Sequence, residues 1–97
     1  MKKQLQMVRN NEVVSRLDEN SVLIDVREVS EYNQKHIPQA VNIPLGEIEK
    51  EAKKLDKDKT YYIICRSGKR SEMAVKFLVN NGFKNVYNVL PGMMGWK

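Results

Sequence analysis

One cysteine, Cys65, stands at the head of a strongly cationic segment of this chain. Residues 65–71 read CRSGKRS, which brings Arg66, Lys69 and Arg70 within five positions of the thiol. Cations and the free N–H groups at the beginning of a helix both stabilise negative charge and lower the pKa of a thiol. The pattern predicts a nucleophilic thiolate beside a site that binds an anion.

The stabilisation that such a thiolate needs is within reach of these groups. A free thiol has a pKa of about 8.5, and lowering that value by two requires roughly 2.7 kcal/mol. A helix terminus contributes about 0.3 to 1 kcal/mol, or up to about 2 kcal/mol when partly buried, and nearby cations add to this. The alternative is a structural cysteine that packs as a small hydrophobe, but such a residue does not require flanking cations.

The hydrophobic pattern predicts strands that alternate with helices. Residues 22–26 and 61–64 are short apolar runs typical of strands covered on both faces. The other expected elements are a helix capped by Asn10 or Asn11, a helical turn from Ser30, a short strand at 40–43, a helix with Ile48, Ala52 and Leu55 on one face, a helix at 71–81 and a strand at 86–89. We therefore expect the α/β class, with an open, mostly parallel sheet and helices on both faces.

Sites in sheets of this kind lie beyond the carboxyl ends of the strands. Cys65 follows the strand at 61–64, and Asp25 lies near the end of the strand at 22–26. Asp25 either faces the site or pairs with a neighbour such as Arg27, and the sequence leaves both interpretations open.

Several other polar and aromatic residues have structural interpretations. Arg27 and Glu31 are four positions apart, a spacing that suits an ion pair on a helical turn. We interpret His36 as a hydrogen-bond partner that anchors a turn and Trp96 as a packing residue at the edge of the sheet.

Length and composition predict one compact domain over residues 1–97, because 41% of the 97 residues are hydrophobic and 30% are charged. Met1, Lys2 and Lys3 resemble the start of a secretion signal, but Gln4 and Gln6 interrupt the apolar stretch that should follow. A single cysteine cannot form an internal disulfide, which is consistent with a reducing compartment. We expect a soluble cytoplasmic protein without a membrane partner.

The net charge of +5 raises the question of nucleic-acid binding. The basic residues are scattered, however, and residues 47–59 interleave both signs as a solvated helix face does. No continuous basic stripe of the kind that follows a phosphate backbone is evident in the sequence. The balance is better suited to small anionic substrates than to nucleic acid.

Taken together, the motifs resemble those of single-domain rhodaneses, and they occur in the order of that family along almost the whole chain. The segments that carry the resemblance are residues 23–28 (LIDVRE), 31–32 (EY), 36–38 (HIP) with Ala40, 42–45 (NIPL), 65–71 (CRSGKRS), 82–83 (GF) and 92–96 (GMMGW). Three positions depart from the usual pattern and affect turns: Lys35 and Gln39 replace glycines beside the HIP segment, and Pro91 replaces the first of two glycines.

The resemblance implies a sulfurtransferase with a rhodanese-like fold. Cys65 would take a sulfane sulfur from an anionic donor such as thiosulfate, become a persulfide, and pass the sulfur to a separate thiol, protein or cyanide acceptor. Neither a cofactor nor a metal is implied. Ser71, Asp25 and Arg27 are candidate supporting residues. The residues assigned to substrate binding are those of the loop, namely Arg66, Ser67, Gly68, Lys69 and Arg70.

Two rival functions stay open. Thiol phosphatases place a histidine before the cysteine and an arginine after five intervening residues, whereas here Ile64 precedes Cys65 and Arg70 follows after four. Arsenate reduction would need a second cysteine to resolve its intermediate. The second rival is a non-catalytic rhodanese-like module that only binds a partner, although such modules usually lack the loop cysteine.

Overall fold

The computed structural model describes residues 5–96. Met1, Lys2 and Lys3, which the sequence analysis compared with a secretion signal, lie outside these residues, as does Gln4. Between residues 5 and 96, no helix has the length and apolar character needed to cross a bilayer.

Strands and helices alternate along the described residues, as expected. The strands are β1 (Gln6–Arg9), β2 (Ser21–Asp25), β3 (Ala40–Asn42), β4 (Thr60–Ile64) and β5 (Asn85–Leu90). The helices are α1 (Asn10–Arg16), α2 (Val29–Gln34), α3 (Ile48–Ala52) and α4 (Lys69–Asn80), with short 3₁₀ turns at Leu45–Glu47 and Met93–Gly95.

The strands form one sheet in the order β1-β5-β4-β2-β3. Every pairing in the described sheet is parallel, so all strands end at the same edge. Strand β4 lies at the centre, and its last four residues are buried, as the continuous apolar run predicts. The expected α/β class with an open parallel sheet is confirmed.

Side chains that alternate along the strands supply two cores, one on each face of the sheet. On one face, Ile24 and Ile63 pack with residues of α3 and α4. On the other face, Leu23 and Tyr62 pack with Val13 of α1 and with neighbours that include Tyr32 and Trp96. Helices therefore cover both faces, and Trp96 has the packing role that the sequence predicted.

Several helix ends differ from the sequence-based prediction. The N-cap of α1 is Arg9, because the side chain of Asn10 is hydrogen-bonded instead to the backbone of Gly92. Helix α3 ends at Ala52, where the chain tightens into turns, yet Leu55 still packs against the core. Helix α4 begins at Lys69, two residues before the predicted start.

Strand β1 was absent from the prediction. Its four residues, QMVR, bury only Val8, so the segment carries no hydrophobic pattern that indicates a strand. It forms because its backbone pairs with β5 over the register Gln6–Tyr87 to Arg9–Leu90. Partnership with a distant segment, rather than local preference, creates this element.

A buried ion pair fixes the carboxyl end of β2. The carboxylate of Asp25 is fully buried and accepts hydrogen bonds from Arg27 through its backbone N–H (3.0 Å), Nε (3.0 Å) and Nη2 (2.8 Å). Nη2 of Arg27 also donates to the carbonyl of Lys35 at 2.7 Å, which ties β2 to the segment after α2. Asp25 therefore pairs with Arg27, which is the structural one of the two interpretations that the sequence left open.

Removal of the Asp25 charge should destabilise the protein strongly. In the variant Asp25→Asn, the buried guanidinium of Arg27 loses its counter-charge, and we expect the free energy of unfolding to fall by about 3 to 5 kcal/mol. Urea denaturation measures this change. The matched control is Glu72→Gln, which breaks an exposed pair with Lys76 (3.5 Å) and should cost at most about 1 kcal/mol. Equal losses in the two variants would contradict the role of the buried pair.

Candidate active site

Cys65 directly follows the central strand β4, and neighbouring strand ends hold its backbone from both sides. The N–H of Val26, after β2, donates to the carbonyl of Ile64 at 2.9 Å. The N–H of Met93, after β5, donates to the carbonyl of Cys65 at 2.8 Å, and that of Met94 donates to the carbonyl of Arg66 at 2.9 Å. The start of the loop is thus fixed by backbone hydrogen bonds that the parallel topology provides.

Polar hydrogens converge on the sulfur atom of Cys65. The residue is only 1% exposed, so its sulfur depends on protein groups rather than water for solvation. The N–H of Gly68 donates to Sγ at 3.0 Å, and Oγ of Ser71 lies 3.2 Å from Sγ. Gly68 has φ of 97°, a left-handed conformation that favours glycine, and it turns the chain back toward Sγ before α4 begins.

The pKa of the Cys65 thiol is lowered below its ordinary value. Burial by itself raises the pKa, because it removes water from the charged form. Hydrogen bonds from the Ser71 side chain and from the backbone N–H groups of Ser71, Gly68 and Ser67 outweigh that effect. The sulfur is therefore buried, yet the groups around it favour the thiolate more than burial disfavours it.

The cations of the loop do not all lie where the sequence suggested. Arg66 and Lys69 are exposed, as is Ser67 between them. Arg70 is half-buried and binds both carboxylate oxygens of Glu31, from Nη1 at 2.7 Å and from Nη2 at 3.1 Å. The pKa of Arg70 is raised mainly by these hydrogen bonds and less by the charge of Cys65. Hydrogen-bond donors, more than flanking cations, thus stabilise the thiolate.

Glu31 links α2 to the thiol loop. Besides Arg70, its Oε1 accepts the backbone N–H of Glu28 at 3.0 Å, which caps the start of α2. The hydrogen bonds from Arg70 lower the pKa of Glu31 to about 2, against the opposing effect of burial. The prediction of an ion pair between Arg27 and Glu31 is wrong. Arg27 pairs with Asp25, and Glu31 pairs with Arg70.

His36 makes a local hydrogen-bond contact after α2, as the sequence predicted. Its ring stacks on Tyr32 with centroids 3.8 Å apart, and its Nδ1 lies 2.8 Å from the carbonyl oxygen of Tyr32. The residue is exposed and contacts its own local segment.

Two residues that the structure places at the site were not among the candidate site residues of the sequence analysis. Asn88, on β5, is buried and accepts a hydrogen bond from Oγ of Ser71 at 2.5 Å. Gly92 has φ of 102°, and a Cβ atom there would lie 2.6 Å from the carbonyl oxygen of Cys65. An asparagine inside an apolar strand run was a detectable signal for the first, whereas the close approach at Gly92 is visible only in three dimensions.

A thiol with a lowered pKa, cradled by a tight loop at the end of a central parallel strand, matches the arrangement that the motifs implied. The model of the Rhodanese-like domain family matches residues 9–97. The chain belongs to the rhodanese-like family.

Individual relatives agree with this assignment. The chain is 53% identical over 79 residues to YrkF of Bacillus subtilis, which is named as a sulfur carrier; the match covers 81% of this chain and 43% of YrkF, so the chain spans less than half of that relative. It is 32% identical over 97 residues to the thiosulfate sulfurtransferase GlpE of Coxiella burnetii, covering 100% of this chain and 89% of GlpE.

A solved structure shows the same fold. The rhodanese-like domain protein of Staphylococcus aureus is 29% identical and has a TM-score of 0.86, over 96% of this chain and 92% of that one. Together with the family match, this similarity agrees with the assignment of the chain to the rhodanese-like family.

The Glu31–Arg70 pair should make stability depend on pH in acid. The pKa of Glu31 is lowered from 4.5 to about 2 on folding, so its contribution is full above pH 4.5 and is lost as the pH falls toward 2. We expect the difference in unfolding free energy between the wild type and Glu31→Gln to shrink over this interval, as measured by urea denaturation.

The matched control for this measurement is Glu51→Gln, which removes a similarly half-buried carboxylate from a longer pair (3.5 Å) with the exposed Lys54. It should change the unfolding free energy by at most about 1 kcal/mol. A difference between the wild type and Glu31→Gln that stays constant through the acid range would contradict the assignment.

Proposed function

We propose that this protein takes a sulfane sulfur from a small anionic donor of the thiosulfate type onto Cys65 and passes it to a separate thiol or to cyanide. The observation that carries the proposal is the convergence of hydrogen-bond donors on the buried Sγ, with the Gly68 N–H at 3.0 Å. Donors in this arrangement stabilise the anionic sulfur that must attack, and later leave, in each half of the reaction.

The proposed chemistry balances without an additional base. The Cys65 thiolate attacks the outer sulfur of thiosulfate, a bond forms between the two sulfur atoms, and sulfite leaves with the electron pair of the broken S–S bond. An acceptor thiolate or cyanide then attacks the outer sulfur of the persulfide, and Cys65 leaves as a thiolate. Since an ionised sulfur needs no proton removal at the moment of attack, no histidine is required beside Cys65.

Exposed cations on the loop suit an anionic donor. Arg66 and Lys69 flank the thiol in sequence and are exposed, so both are free to attract and orient a dianion over the loop. The similarity to GlpE, named a thiosulfate sulfurtransferase, supports this donor class. These 97 residues hold one cysteine, so we expect the sulfur to pass to a separate molecule, and a reducing cytoplasm would keep the thiol available.

The geometry disfavours the phosphatase alternative. A phosphatase loop uses its arginine to clamp two oxygens of the phosphate. Here Arg70 already donates to both oxygens of Glu31, and the loop is one residue shorter than such enzymes require. A purely binding module is disfavoured by the retained thiol and by its lowered pKa.

The decisive experiment is intact mass spectrometry after incubation with thiosulfate. We expect the wild type to gain one sulfur atom on Cys65 and to lose it on addition of cyanide. The variant Cys65→Ser should gain none and should have no sulfur-transfer activity. A wild-type chain that stays unmodified and also reacts slowly with iodoacetamide would support the binding module, and release of phosphate from a phosphate monoester would support the phosphatase.

The cationic loop generates a separate prediction. Removal of one exposed charge in Arg66→Gln or Lys69→Gln should raise the KM for thiosulfate roughly three- to fivefold at low salt, since one surface charge contributes about 1 kcal/mol at close range. Added salt should shrink the effect. The control Lys76→Gln removes an equal charge from an exposed position farther along α4. Equal KM values in the control and the loop variants would argue against donor binding by these cations.

A further inference from the structure

A chain of hydrogen bonds runs from the reactive sulfur into β5. Sγ of Cys65 lies 3.2 Å from Oγ of Ser71, and Oγ of Ser71 lies 2.5 Å from Oδ1 of Asn88. Nδ2 of Asn88 in turn donates to the carbonyl of Gly68 at 3.2 Å. All four residues are buried, so protein atoms rather than bulk water decide where each proton lies.

The Gly68 carbonyl determines the orientation of the Asn88 amide. A carbonyl oxygen can only accept, so the side-chain group that faces it must be the NH₂ of Asn88. Oδ1 of Asn88 consequently faces Ser71 and can only accept a hydrogen bond from it. The Ser71 hydroxyl has one proton and two acceptors that compete for it, Oδ1 of Asn88 and Sγ of Cys65.

The competition has a different outcome in each state of the sulfur. While Cys65 is a thiol, its S–H donates to Oγ of Ser71, and the Ser71 hydroxyl donates its own hydrogen bond to Oδ1 of Asn88. When the thiol proton leaves to solvent, the Ser71 hydroxyl rotates about its Cβ–Oγ bond and donates to the thiolate. Oδ1 of Asn88 then loses its donor inside the protein, which has a free-energy cost.

We propose that Asn88 is a positioning residue that acts through Ser71, and that it restrains ionisation of Cys65 by holding the hydroxyl proton away from the sulfur. Gly68 contributes by fixing the amide in the orientation that accepts this proton. Asn88 does not touch Sγ; its effect requires the Ser71 hydroxyl.

This inference rests on the proposed function for its consequence in turnover. In the persulfide, Sγ is bonded to a second sulfur and carries no charge of its own. The Ser71 hydroxyl can therefore donate to Oδ1 of Asn88 again. Asn88 therefore favours the sulfur-loaded state over the bare thiolate, and it slows discharge because a thiolate of higher pKa leaves less readily. A sulfur carrier benefits from such restraint, since the sulfur stays bound until the acceptor arrives.

Several charged groups lie on the elements around the thiol loop, and the test must leave them unchanged. They are Arg66 on the loop, Lys69 and Arg70 on α4, Glu28 and Glu31 at the start of α2, and the Asp25–Arg27 pair at the carboxyl end of β2. The variants proposed below alter none of these residues and replace only uncharged side chains.

The test is the variant Asn88→Val, which removes both polar atoms and retains a residue suited to a strand. Without Asn88 as a competing acceptor, we expect the Ser71 hydroxyl to donate its hydrogen bond to Sγ. The pKa of Cys65 should then fall by roughly 0.5 to 1, the equivalent of one modest hydrogen bond. The measurement is the rate of iodoacetamide alkylation as a function of pH. A merely structural role would loosen Gly68 and its N–H donor, which would raise the pKa instead.

Coupling to Ser71 is tested with a double-mutant cycle. Ser71→Ala removes the donor and should raise the pKa of Cys65, and in that background Asn88→Val should have no further effect. If valine prevents folding, Asn88→Ala replaces it, because the smaller side chain creates no clash in the strand. An unchanged or raised pKa in the folded Asn88 variants, or an equal fall in the Ser71→Ala background, would overturn the proposal.

Alkylation requires no sulfur donor, so this test is independent of the proposed function. Failure of the persulfide to form in the mass experiment would refute the sulfur-transfer function and leave the ionisation result standing. If both hold, Asn88→Val should discharge its persulfide to cyanide roughly twofold faster than the wild type. Slower discharge despite a lower pKa would refute the proposed role of Asn88 in retaining sulfur.

Discussion

A negative charge on a buried sulfur atom is stable only where polar hydrogens replace the water that burial removes, and the structure around Cys65 follows from this requirement. The Gly68 N–H and the Ser71 side chain reach Sγ only because the loop closes tightly at the start of α4. Closure in turn depends on Gly68, whose left-handed conformation turns the backbone toward the sulfur. Displacement of this loop would leave a buried thiol with an ordinary or raised pKa.

The rest of the fold holds that loop in place. Parallel pairing brings the ends of β2, β4 and β5 to one edge, where backbone donors after β2 and β5 bind the carbonyls of Ile64 and Cys65. Gly92 permits the close approach on the β5 side. Glu31, from the helix after β2, anchors Arg70. Separate elements thus restrain one short segment, which is how a small sheet can position a nucleophile accurately.

The cations of the loop divide between one that anchors it and two that are exposed. Arg70 is engaged by Glu31 in a two-pronged ion pair, so it is an anchor for the loop. Arg66 and Lys69 remain at the surface, where they suit the recognition of an anion. The sequence presents the three cations as equivalent, because Glu31 lies 39 positions from Arg70 and spacing along the chain does not reveal their pairing.

Local sequence determined the elements with strong patterns, the class of the fold, and the candidate thiol with its loop, because each depends on residues close together in the chain. The apolar runs predict β2 and β4, and CRSGKRS indicates an anionic sulfur before any coordinates are known. Only the tertiary structure decided what depends on distant partners: β1 exists through β5, Asn10 binds Gly92 instead of capping α1, and Asn88 reaches Ser71. Hydrogen bonds between distant segments leave no periodic signal in the sequence, so they can be identified only in the folded structure.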